Sequence, residues 1–148
     1  MRNVEPGSLM LYAESSAILA WLLGEARGGD VADALRNAEG VIASDLTLVE
    51  CERVLIRAWS SGLITEAERA DQSSALARAG AHWTRLRLDE VVVERARRPF
   101  PIEPIRTLDA LHLASALIAR QAAPGLRLLT LDQRVRENAE RLGLVAVP

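Results

Sequence analysis

Short apolar runs alternate with longer amphipathic segments along the whole chain, and this alternation constrains the fold more than any other feature. The runs predict strands over residues 9–13, 41–43, 82–88, 126–131 and 144–147, the first of them set off by Pro6-Gly7. Helical periodicity predicts helices over residues 15–23, 30–39, 47–60, 65–79, 89–98, 107–121 and 132–142. Strands separated by helices form parallel sheets covered by helices. The sequence therefore predicts an α/β fold with five parallel strands.

Capping residues support these helix starts. Thr65 with Glu68, and Thr47 with Glu50, have the spacing of a capping box, in which a hydroxyl and a carboxylate bond the first backbone N–H groups. The remaining predicted N-caps are Asp30, Thr107 and Asp132.

Composition excludes several classes of protein. The 148 residues include 18 basic and 20 acidic side chains, with 49% apolar and 26% charged residues, which fits a single globular domain over residues 1–148. No apolar stretch approaches the roughly 20 residues of a membrane span. One cysteine and two histidines exclude a disulfide framework and a structural zinc site. The first 16 residues lack a signal-peptide pattern, so we expect a cytoplasmic protein.

Four acidic residues fall where predicted strands end or helices begin. Glu14 follows the first strand, Glu50 and Asp109 lie near the starts of two helices, and Asp132 follows the fourth strand. Ligands of parallel sheets bind at this edge, so we expect the four carboxylates to converge. Carboxylates this close repel one another and call for a cation. Oxygen ligands without cysteine select Mg²⁺ or Mn²⁺, and such an ion suits phosphoryl chemistry.

Structural roles compete with this interpretation. Each of the four carboxylates could serve only to cap or stabilise a helix N-terminus. His112 could orient Asp109, but a histidine packed in the core is favoured. Cys51 is predicted to be inert, and the tryptophans Trp21, Trp59 and Trp83 to be core residues. The sequence has no dinucleotide-binding, P-loop or serine-hydrolase motif.

Four motifs surround the acidic residues in a fixed order. They read L-Y-A-E-S-S-A-I over residues 11–18, T-L-V-E over 47–50, R-T-L-D-A-L-H-L-A over 106–114 and L-T-L-D over 129–132. Their order and spacing resemble the PIN-domain ribonucleases, above all the VapC toxins of bacterial toxin–antitoxin pairs. The resemblance implies a PIN-like three-layer α/β/α fold and a metal-dependent endoribonuclease. It also implies a VapB-type antitoxin that blocks the site, and a homodimer.

The resemblance assigns the site residue by residue. It implies a catalytic set of Glu14, Glu50, Asp109 and Asp132, supported by the hydroxyls of Ser16 and Thr130. Within that set we expect Glu14, Asp109 and Asp132 to bind Mg²⁺ or Mn²⁺ and Glu50 to complete the pocket. Apart from the resemblance, three arginines are candidates to position the RNA substrate, although a surface or ion-pair role is favoured for any single one: Arg53, Arg106 and Arg134.

One position departs from the family pattern, because Glu14 stands where these nucleases usually have aspartate. This motivates an alternative, a catalytically weak PIN-fold protein that binds antitoxin or RNA. It also predicts that Glu14→Asp raises activity, since a displacement of about 1 Å can cost on the order of a hundredfold in rate. A receiver-like or phosphatase-like domain is a third alternative, but it expects a lysine in the site and the chain has none.

Overall fold

The computed structural model describes residues 9–148, which form one five-stranded parallel sheet between two layers of helices. The strands are β1 (Met10–Ala13), β2 (Gly40–Ser44), β3 (Thr84–Leu86), β4 (Arg127–Leu129) and β5 (Val145–Val147). The helices are α1 (Ser15–Leu22), α2 (Gly28–Asn37), α3 (Asp45–Ser60), α4 (Glu66–Gly80), α5 (Glu90–Ala96), α6 (Thr107–Ala122) and α7 (Gln133–Arg141). The predicted break at Pro6-Gly7 lies outside the described residues.

All four strand pairings are parallel, in the order β3-β2-β1-β4-β5. β1 is central, with Leu11 opposite Val41 on one side and Arg127 on the other. The strand order changes direction at β1, and the edge beyond its carboxyl end is where such sheets bind ligands. The predicted α/β fold with five parallel strands is confirmed.

The sheet separates two parts of the core because successive strand residues point to opposite faces. Tyr12 packs with residues of α5, α6 and α7, whereas its neighbours Leu11 and Ala13 pack toward α1 to α4. Gly28 allows the first turn of α2 to lie against α1, because a Cβ on it would stand 2.6 Å from the Ala20 carbonyl oxygen. This arrangement is the three-layer α/β/α architecture that the resemblance implied.

Two predicted helix starts, those of α3 and α2, and one predicted cap, that of α6, were wrong. α3 begins at Asp45 and is capped by Ser44, whose Oγ accepts from the Leu46 N–H at 3.1 Å. The hydroxyl of Thr47 is therefore not a cap, and it donates instead to the Ala13 carbonyl oxygen at 2.9 Å. α2 begins at Gly28, which places Asp30 inside its first turn. The N-cap of α6 is Arg106, one residue before Thr107, and its side chain makes no capping bond.

Other predicted caps are confirmed. Thr65 and Glu68 form the full capping box of α4, and Asp132 Oδ1 caps α7 by accepting from the Val135 N–H at 3.0 Å.

The prediction that Trp59 is a core residue was wrong, because it is 44% exposed and lies under the guanidinium of Arg69. Between residues 9 and 148, no helix is both long enough and apolar enough to cross a membrane.

Candidate active site

The structure brings all four acidic residues to one pocket at the carboxyl edge of the sheet. Each comes from a different segment, and the pocket encloses about 210 Å³. At about 30 Å³ per water, that is room for an ion with its water shell. The lining residues are Glu14, Ser15, Ser16, Leu19, Glu50, Arg106, Leu108, Asp109 and Asp132.

Glu14 is the most enclosed of the four, with 4% of its surface exposed. It is the N-cap of α1, and its Oε1 accepts from the Ser16 N–H at 3.1 Å. Its Oε2 accepts from the Thr130 hydroxyl at 2.8 Å and from the Ser16 hydroxyl. Neutral donors therefore fix this carboxylate on both oxygens.

The predicted supporting residues Ser16 and Thr130 also tie α1 to the loop after β4. Ser16 Oγ accepts from the Leu131 N–H at 3.0 Å, and Thr130 Oγ1 accepts from the Asp132 N–H at 3.1 Å. In addition, the Glu14 N–H donates to the Leu129 carbonyl oxygen at 3.0 Å. The two hydroxyls thus link the positions of Glu14 and Asp132.

Glu50 lies in the second turn of α3 and reaches the pocket beside Ser15. The Ser15 hydroxyl stands 3.0 Å from Glu14 Oε1 and 3.1 Å from Glu50 Oε1, so these two carboxylate oxygens are no more than about 6 Å apart. The same Glu50 oxygen is hydrogen-bonded to His112 Nε2. His112 is buried, as predicted, but its polar partner is Glu50 and not Asp109.

Asp109 and Asp132 share one guanidinium. Arg106 Nε donates to Asp109 Oδ2 at 3.1 Å, and its second terminal nitrogen donates to Asp132 Oδ2 at 3.2 Å. Hydrogen bonding to Asp109, together with the negative charges of Asp109, Asp132 and Glu14, raises the pKa of Arg106. The arginine side chain is 68% exposed, so a fixed positive charge stands at the mouth of the pocket.

The four acidic residues have the chemistry that a hard divalent cation prefers, because every side-chain atom that could coordinate the ion is an oxygen. As the side chains stand in residues 9–148, no three His, Cys, Asp or Glu groups surround a common point. The contacts account for this arrangement, because Glu14 is bonded to hydroxyls, Glu50 to His112 and both aspartates to Arg106.

Two of the predicted RNA-positioning arginines lie apart from the pocket. Arg53 and Arg134 are exposed, and neither lines it, whereas Arg106 does. Cys51 is buried, and burial raises the pKa of its thiol well above the ordinary range, which fits the predicted inert role.

Sequence reasoning missed Ser15 and Tyr12. Ser15 bridges the two glutamates, and its position directly after Glu14 at a helix start was the available signal. Tyr12 is fully buried, and its hydroxyl stands 2.9 Å from His112 Nδ1. Nothing in local sequence links these two residues, which are 100 positions apart.

Comparison with known proteins identifies the class. The PIN domain family model matches residues 11–141, so the chain belongs to the PIN-domain family. Within that family it is of the VapC type. It is 33% identical over 140 residues to Ribonuclease VapC35 of Mycobacterium tuberculosis, covering 93% of this chain and 96% of that protein. It is 34% identical over 137 residues to Ribonuclease VapC46 of the same species, covering 93% and 95%. The predicted family is confirmed.

Solved structures agree at the level of the fold. M. tuberculosis VapC20, described as a Sarcin-Ricin loop cleaving toxin, superposes with a TM-score of 0.64 at 16% identity, covering 93% of this chain and 99% of that one. FitAcB from Neisseria gonorrhoeae gives 0.67 at 15% identity, covering 94% and 97%. At these identities the likeness concerns the fold alone.

Proposed function

We propose that this protein is an endoribonuclease toxin that hydrolyses RNA phosphodiester bonds with Mg²⁺ or Mn²⁺ in the acidic pocket. The observation that carries the proposal is the convergence of Glu14, Glu50, Asp109 and Asp132 on one pocket. Its curated relatives, similar over nearly the whole chain, are named ribonucleases. Those names favour an active enzyme over the catalytically weak binding protein that Glu14 suggested.

Glu14, Asp109 and Asp132 are the residues that would hold the ion. When bound, a divalent ion of this kind lowers the pKa of water and neutralises phosphate charge. Ser16 and Thr130 fix the carboxylate of Glu14, and the Asp132 backbone is bonded to Thr130. Folding thus fixes Glu14 and the backbone at Asp132, whereas the side chains of Asp109 and Asp132 would turn to the ion once Arg106 releases them.

Glu50 is suited to proton transfer. Its Oε1 is engaged by His112 and Ser15, while its Oε2 has no hydrogen-bond partner within residues 9–148. We assign Oε2 as the atom that accepts a proton from the attacking water. A carboxylate acting in this way must lie within hydrogen-bond reach of that water.

Arg106 is the side chain best placed to meet the RNA backbone. It lines the pocket and is largely exposed, and a guanidinium can donate two hydrogen bonds to one phosphate. Arg53 and Arg134 are exposed outside the pocket lining, and we assign them to secondary electrostatic contacts with RNA. The formal net charge of −2 makes such local positive charges necessary for binding RNA.

We also propose a cognate VapB-type antitoxin and a homodimer. Two structural neighbours are described as a toxin–antitoxin complex from Klebsiella pneumoniae and as VapBC2 from Rickettsia felis bound to a DNA fragment from its promoter. A basic antitoxin side chain could replace Arg106 between Asp109 and Asp132. RNA and a newly made antitoxin meet in the cytoplasm, which we propose as the compartment.

The proposal is tested by cleavage of a defined RNA in a metal series. The toxin, purified away from co-expressed antitoxin, is assayed with EDTA, with Mg²⁺ and with Mn²⁺. We expect no cleavage in EDTA, recovery on adding either ion, and inhibition when the antitoxin is added back. Cleavage that is equally fast in EDTA would contradict metal dependence.

A further inference from the structure

A buried hydrogen-bonded chain leads from the centre of the sheet to the acidic pocket. Tyr12 on β1 and His112 on α6 are 0% and 1% exposed, and the Tyr12 hydroxyl lies 2.9 Å from His112 Nδ1. The other ring nitrogen, Nε2, is hydrogen-bonded to Glu50 Oε1 and lies 3.2 Å from the Ser15 hydroxyl. Three elements of the fold thus meet at one histidine ring.

The chemistry of the partners fixes the direction of these bonds. An ionised carboxylate only accepts hydrogen bonds, so His112 Nε2 carries the proton that is donated to Glu50. With Nε2 engaged by Glu50, the other ring nitrogen, Nδ1, has the Tyr12 hydroxyl as its partner. Burial raises the pKa of the Tyr12 phenol well above its ordinary range, so this hydroxyl keeps its proton. The chain therefore runs from Tyr12 through His112 to Glu50.

Glu50 depends on this chain because its helix does not hold it. It lies in the second turn of α3, beyond the N-terminal groups that a cap would bond. Its side chain is 22% exposed, and a glutamate of that exposure has several rotamers open to it. In the described part of the chain, the hydrogen-bond partners of its carboxylate are Ser15 and His112.

We propose that His112, oriented by Tyr12, is a positioning residue that holds Glu50 for proton transfer. This inference rests on the proposed function and adds two residues to its machinery. A polar group that orients a functional side chain commonly changes activity by about 10–100-fold when it is removed. The competing interpretation is that His112 only fills the core.

Three substitutions of His112 separate the two interpretations. His112→Gln keeps a donor near the position of Nε2, His112→Asn keeps a polar group only near Nδ1, and His112→Leu keeps neither. We expect kcat to fall by about 10–100-fold in the Asn and Leu variants, with KM for RNA unchanged. His112→Gln should retain most of the activity. Tyr12→Phe should lower kcat by about tenfold, because His112 then loses the group that sets its orientation.

Leu76→Ala is the matched control for lost stability. Leu76 is a buried residue of α4, outside the pocket, so this variant shows how kcat responds to destabilisation alone. If His112→Leu has the kcat of Leu76→Ala, or if the Gln and Asn variants lose activity equally, the positioning role is wrong.

A ring-nitrogen NMR spectrum of the wild-type protein separates this inference from the proposed function. We expect Nε2 of His112 to carry a proton, with the Nδ1 signal altered by Tyr12→Phe. If no form cleaves RNA while this pattern is present, the proposed function fails and the contact to Glu50 stands. If Nδ1 carries the proton instead, the positioning chain is contradicted whatever the activity.

Discussion

The two glutamates and the two aspartates of the pocket are held by different chemistry. Glu14 and Glu50 accept hydrogen bonds from hydroxyls, a backbone N–H and a histidine, all from residues that the fold fixes in place. Asp109 and Asp132 are bridged by Arg106, whose side chain is 68% exposed. The fold therefore fixes both glutamates and one oxygen of Asp132, which caps α7, whereas the exposed side chain of Arg106 bridges the other Asp132 oxygen to Asp109.

This difference indicates how one pocket can remain stable before an ion arrives. Bringing four carboxylates together is unfavourable in the absence of a cation, and Arg106 supplies a positive charge to two of them. Exposed ion pairs contribute little to stability, so this contact can be exchanged at low cost. Hydroxyls and a backbone N–H hold Glu14 without competing for the site through a charge of their own.

Removing one aspartate charge should have the largest effect. We expect Asp109→Asn to lower the rate of RNA cleavage by at least about a hundredfold, because an ion ligand is lost. The midpoint of thermal unfolding should change little, since the lost ion pair is with an exposed arginine. Single-turnover cleavage and a thermal melt check both, with exposed Asp71→Asn as the control. A variant that unfolds easily yet cleaves normally would make Asp109 a structural residue.

Shortening Glu14 tests the glutamates that the fold fixes. Sequence reasoning alone predicts that Glu14→Asp raises activity, but the contacts of Glu14 reverse our expectation. Its carboxylate reaches donors on both Ser16 and Thr130, and a side chain shorter by about 1 Å should lose part of them. We expect cleavage about tenfold slower or more, with a lower melting temperature. Exposed Glu140→Asp serves as the control, and faster cleavage by Glu14→Asp would restore the original prediction.

Replacing Arg106 with an uncharged residue tests whether its guanidinium competes with the ion for Asp109 and Asp132. We expect Arg106→Gln to bind Mn²⁺ about fivefold more tightly, because a like charge is removed from the ion's surroundings at surface dielectric. Calorimetric titration measures this without any RNA, and exposed Arg78→Gln on α4, outside the pocket, is the control. KM for RNA should rise in the same variant if Arg106 contacts phosphate. Unchanged Mn²⁺ affinity would show that Arg106 does not compete with the ion.

The smallest effects that we predict are those of replacing two threonines that share the T-x-x-E pattern, Thr65 and Thr47. Thr65→Ala should cost about 1 kcal/mol of stability through a lost cap and leave cleavage unchanged. Thr47→Ala should cost a similar amount through its lost bond to Ala13, but it should also slow cleavage, because Ala13 directly precedes Glu14. Chemical denaturation and initial rates of both variants provide the comparison. Equal effects on cleavage would remove the link between Thr47 and the pocket.

These two threonines also show how far sequence reasoning extends. Both segments have the T-x-x-E spacing, and only Thr65 forms the capping box. Thr47 is the third residue of its helix because Ser44, at the end of β2, is already the cap. The local sequence indicates that a residue can cap a helix, but it does not show where the preceding strand ends. The end of β2 depends on its pairing with β1 and β3.

The same distinction applies to the pocket. Glu14, Glu50, Asp109 and Asp132 could be placed at one edge because a parallel sheet puts all strand ends together. Their partners could not be foreseen, because the contacts of His112 with Tyr12 and Glu50 depend on how α6 rotates against β1 and α3. The bridge by Arg106 between Asp109 and Asp132 likewise joins segments 26 residues apart through side-chain rotamers.

We expect the guanidinium of Arg106 to occupy Asp109 and Asp132 until a divalent ion replaces it. Crystals soaked in Mn²⁺ test this directly, because anomalous difference density locates the ion without reference to activity. We predict a peak bounded by the carboxylates of Glu14, Asp109 and Asp132, with the guanidinium of Arg106 withdrawn from at least one aspartate. A pocket without a peak at Mn²⁺ concentrations that support cleavage, with Arg106 still bridging Asp109 and Asp132, would contradict this expectation.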